Sequence, residues 1–376
     1  MKKVGIITVH CADNFGAMLQ TYALKKYLQN MDCFVEVINY CPKVITQVYP
    51  LLFYKGEIRA GIQSGLKCLW RSVIYIKIRN FPLMLCKKHK MRQFRKNYFN
   101  MTRRIRDNRD FKKLERFDYY ITGSDQLWNP DITGLDDAYF LDFASEEGKK
   151  IAYAVSIGRL LNKEEREIIV EKTQDFDAVS LRETDSVLQL QPYSKNKIYQ
   201  CVDPTLLLKK DEWEKICVKP IKEKYIMFYS LFYTKEAFEA VNDISERLLS
   251  PVKHFFYGRL AKRLKRNGGS FYYAGIEEFL GLIEQAEYVI TDSFHGAVFS
   301  ILFEKKFGVV LPPKRNMRLI ELLNITGFSD RIISSGQTNF DWEWSECTKR
   351  YQELDLNKIT GDSKDYLKRA LGLKEI

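Results

Sequence analysis

The chain has 376 residues, more than one average domain contains, so two domains are expected. Hydrophobic residues make up 45% and charged residues 29%, ordinary globular proportions that exclude a wholly disordered chain. The formal net charge of +12 suggests a polyanionic partner, but the charge is not evenly spread. Residues 55–116 contain 19 Lys and Arg against 4 Asp and Glu, so this segment carries +15 and the rest of the chain −3.

The apolar run at residues 4–9 is too short for a signal peptide and has no cleavage site after it, so we predict a first buried strand. No uncharged stretch approaches the roughly 20 residues of a membrane-spanning helix. The eight cysteines show no CxxC pair and no Cys/His ligand spacing. Reduced thiols in a cytoplasmic protein are therefore favoured over a disulfide framework or a zinc site, and no metal is expected.

Strands and helices are predicted to alternate along the first half. After the first strand come a turn at 13–16, a helix at 17–29 and a strand near 34–40, the typical opening of a parallel sheet. In the basic segment, the spacing of Leu66, Leu69, Trp70, Val73 and Ile74 predicts a helix that Pro82 ends, and a Lys- and Arg-rich helix follows at 86–99. Later strands are predicted at 118–122, 151–156, 178–181 and 199–202, with helices at 163–173 and from 185.

A second α/β unit is predicted after Pro220. Its strands are expected at 224–231, 254–257, 288–291 and 307–311, and its helices at 235–249, 276–286 and 297–303. The last 25 or so residues are predicted to be a polar helix that packs back on the first domain. We therefore expect an α/β protein with two Rossmann-like domains, residues 1–205 with a basic helical insertion at about 55–116, and residues 206–376.

Polar residues follow the predicted strand at 288–291. Asp292, Ser293 and His295 come at the strand end, and Gly296 lies in the first turn of the helix that follows. The N–H groups of a helix N-terminus bind anions, and a histidine transfers protons near neutral pH. The alternative is that Asp292 or Ser293 simply caps the helix, and this motif alone does not choose between the two.

A second polar group follows the strand at 118–122. Gly123 permits a close backbone approach, and Ser124, Asp125, Gln126 and Asn129 supply hydrogen-bonding groups. Trp128 is placed to stack on a sugar. An ordinary capped turn is the structural alternative, which so much polar chemistry beside an aromatic residue makes less favoured.

Two further loops complete the set of strand ends. Residues 10–17 lie where a phosphate loop would, but they lack a GxGxxG or Walker pattern, so a dinucleotide site or P-loop is disfavoured. Arg182 follows the strand at 178–181 and is a natural clamp for a carboxylate or phosphate. The structural alternative is an ion pair of Arg182 with Glu183.

Taken together, these motifs resemble the polysaccharide pyruvyl transferase family. The resemblance rests on Asn14-Phe-Gly16-Ala-Met-Leu-Gln20, Gly123-Ser-Asp-Gln-Leu-Trp-Asn129, Ser180-Leu-Arg-Glu183, Asp203-Pro204 and Thr291-Asp-Ser-Phe-His-Gly296. In order and spacing they span residues 4 to about 330, and the second and last motifs are the specific ones.

This resemblance implies a GT-B-like pair of domains facing a cleft. It also implies transfer of pyruvate from phosphoenolpyruvate onto two hydroxyls of one sugar, which forms a ketal and releases phosphate. No cofactor is needed. His295 is then expected as the acid/base group, Arg182 as the donor clamp and Asp292 as a third catalytic residue. The substrate-binding residues are then expected to be Asn14, Gly16, Gly123, Ser124, Asp125, Gln126, Trp128, Asn129, Ser293, Gly296, Arg315 and Arg318.

One position departs from the family pattern. Some members carry an arginine two residues before the histidine, where this chain has Ser293. A second cation for the donor must then come from elsewhere, and Lys314, Arg315 and Arg318 are candidates. For Lys314 a solvated charge is the favoured alternative.

The basic segment bears on location. Polysaccharide repeat units are often built on lipid carriers, so the acceptor sugar is expected to be lipid-linked or part of a polysaccharide in capsule or exopolysaccharide synthesis. The predicted helix around Trp70 would suit peripheral binding to anionic lipid at the inner membrane face, although packing on the core is slightly favoured. The segment matches no nucleic-acid-binding module, so no nucleic acid is expected. The rival functions are a GT-B nucleotide-sugar glycosyltransferase and a non-catalytic binding protein of the same fold.

Overall fold

In a computed structural model the chain is described for residues 1–46, 81–256, 258–312, 316–334, 341, 344 and 346–373. The described residues form two six-stranded sheets in which all neighbouring strands are parallel. The expected α/β class with two Rossmann-like units is therefore confirmed.

The first sheet has the order β2-β1-β3-β4-β5-β6. Its strands are β1 Lys3–Ile7, β2 Phe34–Val37, β3 Tyr119–Thr122, β4 Lys149–Val155, β5 Ala178–Leu181 and β6 Ile198–Gln200. The second sheet has the order β12-β11-β10-β7-β8-β9. Its strands are β7 Ile226–Tyr229, β8 Val252–His254, β9 Asn267–Ser270, β10 Tyr288–Thr291, β11 Lys306–Val310 and β12 Ile332–Ile333.

Helices connect the strands of both sheets. They are α1 Phe15–Gln29, α2 Lys43–Thr46, α3 Phe81–Tyr98, α4 Pro130–Thr133, α5 Lys163–Lys172, α6 Thr184–Leu190, α7 Lys210–Glu214, α8 Lys235–Arg247, α9 Ile276–Gln285, α10 Phe294–Leu302, α11 Met317–Ile325, α12 Cys347–Glu353 and α13 Leu356–Ala370. Short 3₁₀ turns lie at Asn108–Lys113, Asp137–Phe140, Pro204–Leu207, Gly258–Arg263 and Ser329–Arg331.

The predicted elements differ from the observed ones mainly where local signals mislead. In the described part of the chain helix α3 covers Phe81–Tyr98, so it includes Pro82, which was expected to end the helix before it. Strand β9 has the sequence Asn-Gly-Gly-Ser and lacks any strand propensity. It forms because β8 offers it an edge on which to pair.

Phe15, the first residue of α1, joins the two units. It is 4% exposed, and its ring stacks on Phe279 of α9 with the ring centroids 4.3 Å apart. Tyr229 and Phe255 meet the same ring edge-on. Because Phe15 begins α1 of the first unit while its three aromatic neighbours belong to the second unit, this aromatic cluster fixes α1 against the second unit.

The basic helix α3 also contacts both units. Met91 and Phe94 are its fully buried residues, and the Phe94 ring meets Tyr22 of α1 at a tilt, with the ring centroids 5.9 Å apart. On the other side Lys90 forms an ion pair with Glu278 of α9. Lys87 places its ammonium 4.7 Å from the centre of the Phe15 ring, and burial lowers the pKa of Lys87 to about 8 although Asp13 raises it.

The C-terminal helix α13 packs on the first sheet. The Tyr366 hydroxyl donates to the Ala152 carbonyl of β4 at 2.8 Å. Just beyond the helix, the Leu371 carbonyl accepts a hydrogen bond from Tyr119 of β3 at 2.7 Å. The end of the chain therefore crosses back from the second unit to the first.

The predicted helix around Trp70, for which packing on the core was slightly favoured over membrane contact, lies outside the described residues. Among the helices that are described, none combines the length and the apolar character needed to cross a bilayer.

We predict that Phe15→Ala destabilises the protein by about 3–5 kcal/mol, because it removes a buried aromatic ring and leaves a cavity between the two units. Urea denaturation followed by circular dichroism measures this change. Phe34→Ala is the matched control, since Phe34 is 39% exposed, and its free energy of unfolding should change far less. Equal losses in the two variants would contradict the anchoring role of Phe15.

Candidate active site

A buried ion pair connects the ends of β5 and β6. Arg182 follows β5 directly, and its Nη2 atom lies 2.6 Å from Oδ2 of Asp203, with side chains only 4% and 0% exposed. The same Nη2 also donates to the Ser124 hydroxyl at the end of β3. The predicted alternative, an ion pair of Arg182 with its neighbour Glu183, is thus replaced by one with Asp203.

The Asp203 carboxylate is held in its charged form. Burial raises its pKa, but Arg182, His295 and the Thr205 hydroxyl outweigh burial and keep the pKa of Asp203 well below the usual range. Oδ1 accepts hydrogen bonds from the Thr205 amide at 2.9 Å and from its hydroxyl at 2.6 Å. Oδ2 therefore remains for Arg182 and His295.

His295 comes from the second unit, in the first turn of α10. Its Nε2 atom lies 3.7 Å from Oδ2 of Asp203, and the other side of the ring rests on Gly16 of α1. A Cβ atom at position 16 would lie 2.2 Å from His295 Nδ1. Glycine at position 16 is therefore required for His295 to approach the first unit this closely.

Two arginines share one aromatic ring. The guanidinium carbons of Arg182 and Arg318 lie 5.3 and 5.8 Å from the centre of the Phe294 ring. Arg318, in the first turn of α11, was one of three candidates for the second cation. Burial and the neighbouring charge of Arg182 both lower the pKa of Arg318. The two guanidinium groups thus lie close enough for the charge of Arg182 to act on Arg318, although Asp203 is the ion-pair partner of Arg182.

Glu183 is the acidic residue that forms an ion pair with Arg318, but its carboxylate is hydrogen-bonded to other groups. Glu183 Oε1 lies 4.0 Å from Arg318 Nε, but the Glu183 carboxylate accepts hydrogen bonds from Ser156, Ser186 and the amide of Ile157. Arg318 consequently has no directed hydrogen bond from Nε.

Several buried nitrogens around this pair have no hydrogen-bond partner among the described residues. They are Arg182 Nε and Nη1, Arg318 Nε, His295 Nε2, Gln126 Nε2 and Asn129 Nδ2. Buried polar groups are almost always satisfied in native proteins, so such a group of atoms points to a bound polar ligand. Most are N–H donors, which suit an anion.

The loop after β3 supports this cluster through its backbone. Gly123 has φ +133°, and a Cβ there would lie 2.1 Å from the Tyr153 carbonyl. The Ser124 amide donates to Gln20 of α1 at 3.0 Å, and the Ser124 hydroxyl donates to the Ala154 carbonyl. Asp125, also with positive φ, uses its side chain to accept from the amide of Gln126.

Gln126 and Asn129 face the same neighbour, Gly158. A Cβ at position 158 would lie 1.8 Å from Gln126 Nε2 and 3.6 Å from Asn129 Nδ2. Asn129 is also the N-cap of α4. Both side chains thus pack against Gly158, and the amide nitrogen of each has no hydrogen-bond partner among the described residues.

The structure corrects the expectation that Trp128 stacks on a sugar. Its side chain is fully buried and lies parallel to the Phe140 ring with the centroids 5.1 Å apart. The indole N–H donates to the Tyr139 carbonyl at 3.1 Å. Trp128 therefore belongs to the core of the first unit, like the neighbouring Leu127, which is also fully buried.

Asp292 lies at the end of β10 but faces the loop after β7. It accepts hydrogen bonds from the Ser230 hydroxyl and from the amides of Leu231 and Phe232, at 2.6, 2.7 and 3.0 Å. Burial raises the pKa of Asp292, although these three donors lower it. Within the described part of the chain its carboxylate touches neither arginine of the cluster.

The remaining predicted residues are placed as caps or lie outside the description. Asn14 caps α1 and Ser293 caps α10 through their side chains. A Cβ at Gly296 would lie 2.3 Å from Thr291 Oγ1. Arg315 and Lys314 lie outside the described residues.

Sequence reasoning did not select Asp203 and Phe294 as site residues. The Asp-Pro pair after a strand end was a sequence signal for Asp203. Its ion pair with Arg182 could not be predicted, because twenty residues separate the two in the chain and only the order of the strands brings them together. No sequence signal marked Phe294, because an aromatic residue at the start of a helix is usually predicted to lie in the hydrophobic core. In the parts of the chain that are described, no group of three or more His, Cys, Asp or Glu is suited to a metal ion.

Comparison with known proteins fits this geometry. The family model of the polysaccharide pyruvyl transferases matches residues 14–312, most of the chain and every residue of the cluster but Arg318. The chain belongs to this family of transferases. A search of curated proteins gave no match.

Solved structures match this chain at low sequence identity. The UDP complex of MnaA from S. aureus is 12% identical, with 100% of this chain and 98% of that chain covered and a TM-score of 0.49. Heptosyltransferase WaaC from E. coli, with ADP-2-deoxy-2-fluoro heptose, is 11% identical, with 83% and 89% covered and a TM-score of 0.39. The UDP-GlcNAc 2-epimerase from Neisseria meningitidis is 8% identical, with 99% of both chains covered and a TM-score of 0.45.

We predict that Gly16→Ala destabilises the protein by about 1–3 kcal/mol, since the added methyl group would overlap His295 and push the two units apart. Thermal or urea denaturation measures the change. Gly361→Ala in α13 is the control, because a Cβ there meets no atom within 4 Å and alanine favours a helix. A Gly16→Ala protein as stable as the Gly361→Ala protein would rule out the close approach.

Asp203→Asn should cost about 3–5 kcal/mol at pH 7, because it leaves the buried charge of Arg182 without a partner. The control Asp211→Asn, at a carboxylate 66% exposed beside Lys215, should cost under about 1 kcal/mol. The depressed pKa of Asp203 stabilises the fold above the pKa of an unfolded aspartate, about 3.9, and this contribution is lost as pH falls below it. Urea titrations should therefore show the wild type and Asp203→Asn converging in acid, and a constant gap would contradict the assignment.

Proposed function

We propose that this protein transfers the pyruvyl group of phosphoenolpyruvate to two hydroxyls of a sugar acceptor, forming a ketal and releasing phosphate. The observation that carries the proposal is the pair of arginines over Phe294, with unpartnered nitrogens beside His295. The family supports transfer of a pyruvyl group to a polysaccharide in general terms. The donor and the ketal product are our inference from the chemistry of the site.

Phosphoenolpyruvate is a small molecule with a carboxylate and a phosphate on adjacent atoms. Arginine binds both groups well, because its planar guanidinium presents N–H donors in pairs. Arg182 is held from one side by Asp203 and Ser124, which leaves Nε and Nη1 for the donor. Arg318 supplies the second cation that the Ser293 position lacks.

The reaction needs one proton at the methylene carbon and loses two from the acceptor hydroxyls. Addition of the proton makes the neighbouring carbon electrophilic, the first hydroxyl attacks it, the bond to phosphate breaks, and the second hydroxyl closes the ketal. One hydroxyl proton balances the new methyl group and the other leaves with phosphate. His295 is suited to pass these protons, since its Nε2 atom has no hydrogen-bond partner among the described residues and lies 3.7 Å from Oδ2 of Asp203.

Asp292 acts in this scheme as a positioning residue. Its three hydrogen bonds hold the loop at 230–232 against the start of α10 and so orient the turn that carries His295. Gln126 and Asn129, with free amide nitrogens, are placed to bind the sugar hydroxyls. We expect a cytoplasmic enzyme that acts on polysaccharide or lipid-linked sugars, without a metal or redox cofactor.

Phosphate release from phosphoenolpyruvate in the presence of a panel of synthetic and lipid-linked sugars tests the proposal. NMR should show a new methyl signal from the ketal in step with phosphate. His295→Ala should lower turnover by roughly 10²–10⁴-fold, the range for loss of a general acid/base. Arg318→Gln should raise the KM for phosphoenolpyruvate by about 10–100-fold, since a charge-assisted hydrogen bond contributes about 1.5–3 kcal/mol.

Matched variants separate these effects from general damage. His89→Ala and Arg247→Gln change residues on the exposed faces of α3 and α8 and should leave both constants unaltered. Full turnover in His295→Ala would refute its catalytic role. Stabilisation against heat by a UDP- or GDP-sugar, with none from phosphoenolpyruvate, would favour a glycosyltransferase instead.

A further inference from the structure

A second polar cavity lies at the other end of the first sheet. Its volume is about 270 Å³, and it is bounded by the residues that follow β1 and β2, by α3 and by the chain near residue 104. The described residues that give it its charge are His10, Asp13, Lys88, Arg92, Arg95 and Arg104. None of these six belongs to the cluster around Arg182 and His295.

The cations of this cavity outnumber its acids. Arg95 is neutralised by Asp13 at 2.7 Å, the one ionised carboxylate among the described lining residues. Lys88, Arg92 and Arg104 form no ion pair with any residue in the described ranges. Three positive side chains from two separate segments therefore face one space without a counter-charge, an arrangement that attracts an anion.

The neighbouring groups also lower the pKa of a thiol in the cavity wall, that of Cys41. The hydrogen bond from Cys11 lowers the pKa of Cys41 despite burial, and His10 and Arg104 lower it further. A thiolate at Cys41 would cancel one positive charge, which still leaves two for a ligand. The Asn39 side chain accepts from the Cys41 thiol at 3.3 Å and contacts His10, which fixes this wall of the cavity.

The cavity and the His295 cluster are joined by the chain that leads into α1. Residues 10–13 lead directly into α1, whose Gly16 touches His295, and Arg95 donates to the His10 carbonyl at 3.4 Å. In the sheet order, β1 stands three strands from β5, which carries Arg182. With neighbouring strands about 4.8 Å apart, the ends of β1 and β5 lie on the order of 15 Å from each other.

We propose that this cavity binds the phosphate or diphosphate group of the acceptor, while the sugar attached to that group reaches His295. This inference rests on the proposed function for the identity of the acceptor. A carboxylate is satisfied by one arginine, whereas three cations from two directions match a group with several charged oxygens. The separation of the two sites then selects acceptors that carry their phosphate a short sugar chain away from the reacting hydroxyls.

Inorganic pyrophosphate is the direct probe, titrated into the full-length protein by calorimetry. The double variant Arg92→Gln/Arg104→Gln should bind it at least tenfold more weakly than the wild type. Both side chains are exposed, so the fold should survive, and an unchanged melting temperature verifies this. Arg318→Gln should alter this affinity by less than twofold, which separates the cavity from the donor site.

The matched control is Arg109→Gln/Arg116→Gln, which removes two charges that are 90% and 76% exposed in the same basic segment. It should bind pyrophosphate like the wild type. An equal loss in both double variants would show a diffuse charge effect and overturn the proposal, as would an unchanged affinity in Arg92→Gln/Arg104→Gln.

Two further titrations identify the source of the phosphate. UDP is compared with UMP, and phosphatidylcholine vesicles containing a polyprenyl diphosphate are compared with plain ones. The compound that binds more weakly to Arg92→Gln/Arg104→Gln than to the wild type identifies the class of acceptor. If neither UDP nor the polyprenyl diphosphate binds more weakly to this variant, the proposal that the cavity binds the acceptor is overturned. None of these measurements uses phosphoenolpyruvate. They therefore test anion binding in the cavity even if the protein does not catalyse the proposed reaction.

Discussion

The structure depends on one buried charge pair, Arg182 with Asp203. Taking both groups out of water is costly, and only the short contact between them, with hydrogen bonds from Ser124 and Thr205, makes it tolerable. Asp203 uses one oxygen for the pair and for His295, so the second unit is aligned with the first through the same carboxylate. Nε and Nη1 of Arg182 are left without hydrogen-bond partners among the described residues, and these are the atoms that we propose bind the anionic donor.

The two units pack directly against each other at the start of α1. Phe15 enters an aromatic cluster of the second unit, and the next residue, Gly16, lets His295 lie against α1. Lys90 of the basic helix adds an ion pair to α9. The basic segment, whose charge first suggested a polyanion or a membrane, thus holds the two units together with one part of its surface. With another part it lines a cavity suited to an anionic group.

The sequence and the structure differ most where neighbours are far apart in the chain. The alternation of strands and helices, the strand ends and the motifs around Ser124, Arg182 and His295 could all be predicted, because each depends on local periodicity and turn chemistry. Trp128 could not be placed correctly, since an aromatic residue beside polar ones has the same pattern whether it faces a ligand or the core. Strand β9 was missed for the opposite reason, as its pairing with β8 overrides its own poor propensity.

By itself, the sequence determined the α/β class, the family and the residues at which chemistry is concentrated, because these follow from patterns only a few residues long. Only the tertiary structure showed that Arg318 lies beside Arg182 over the Phe294 ring. Arg318 reaches Phe294 through the packing of α11 beside α10, a proximity with no local signature. The partner of Arg182 was decided in the same way: Asp203 rather than the adjacent Glu183, because parallel strands bring their carboxyl ends together across the sheet while neighbours in a strand point to opposite faces.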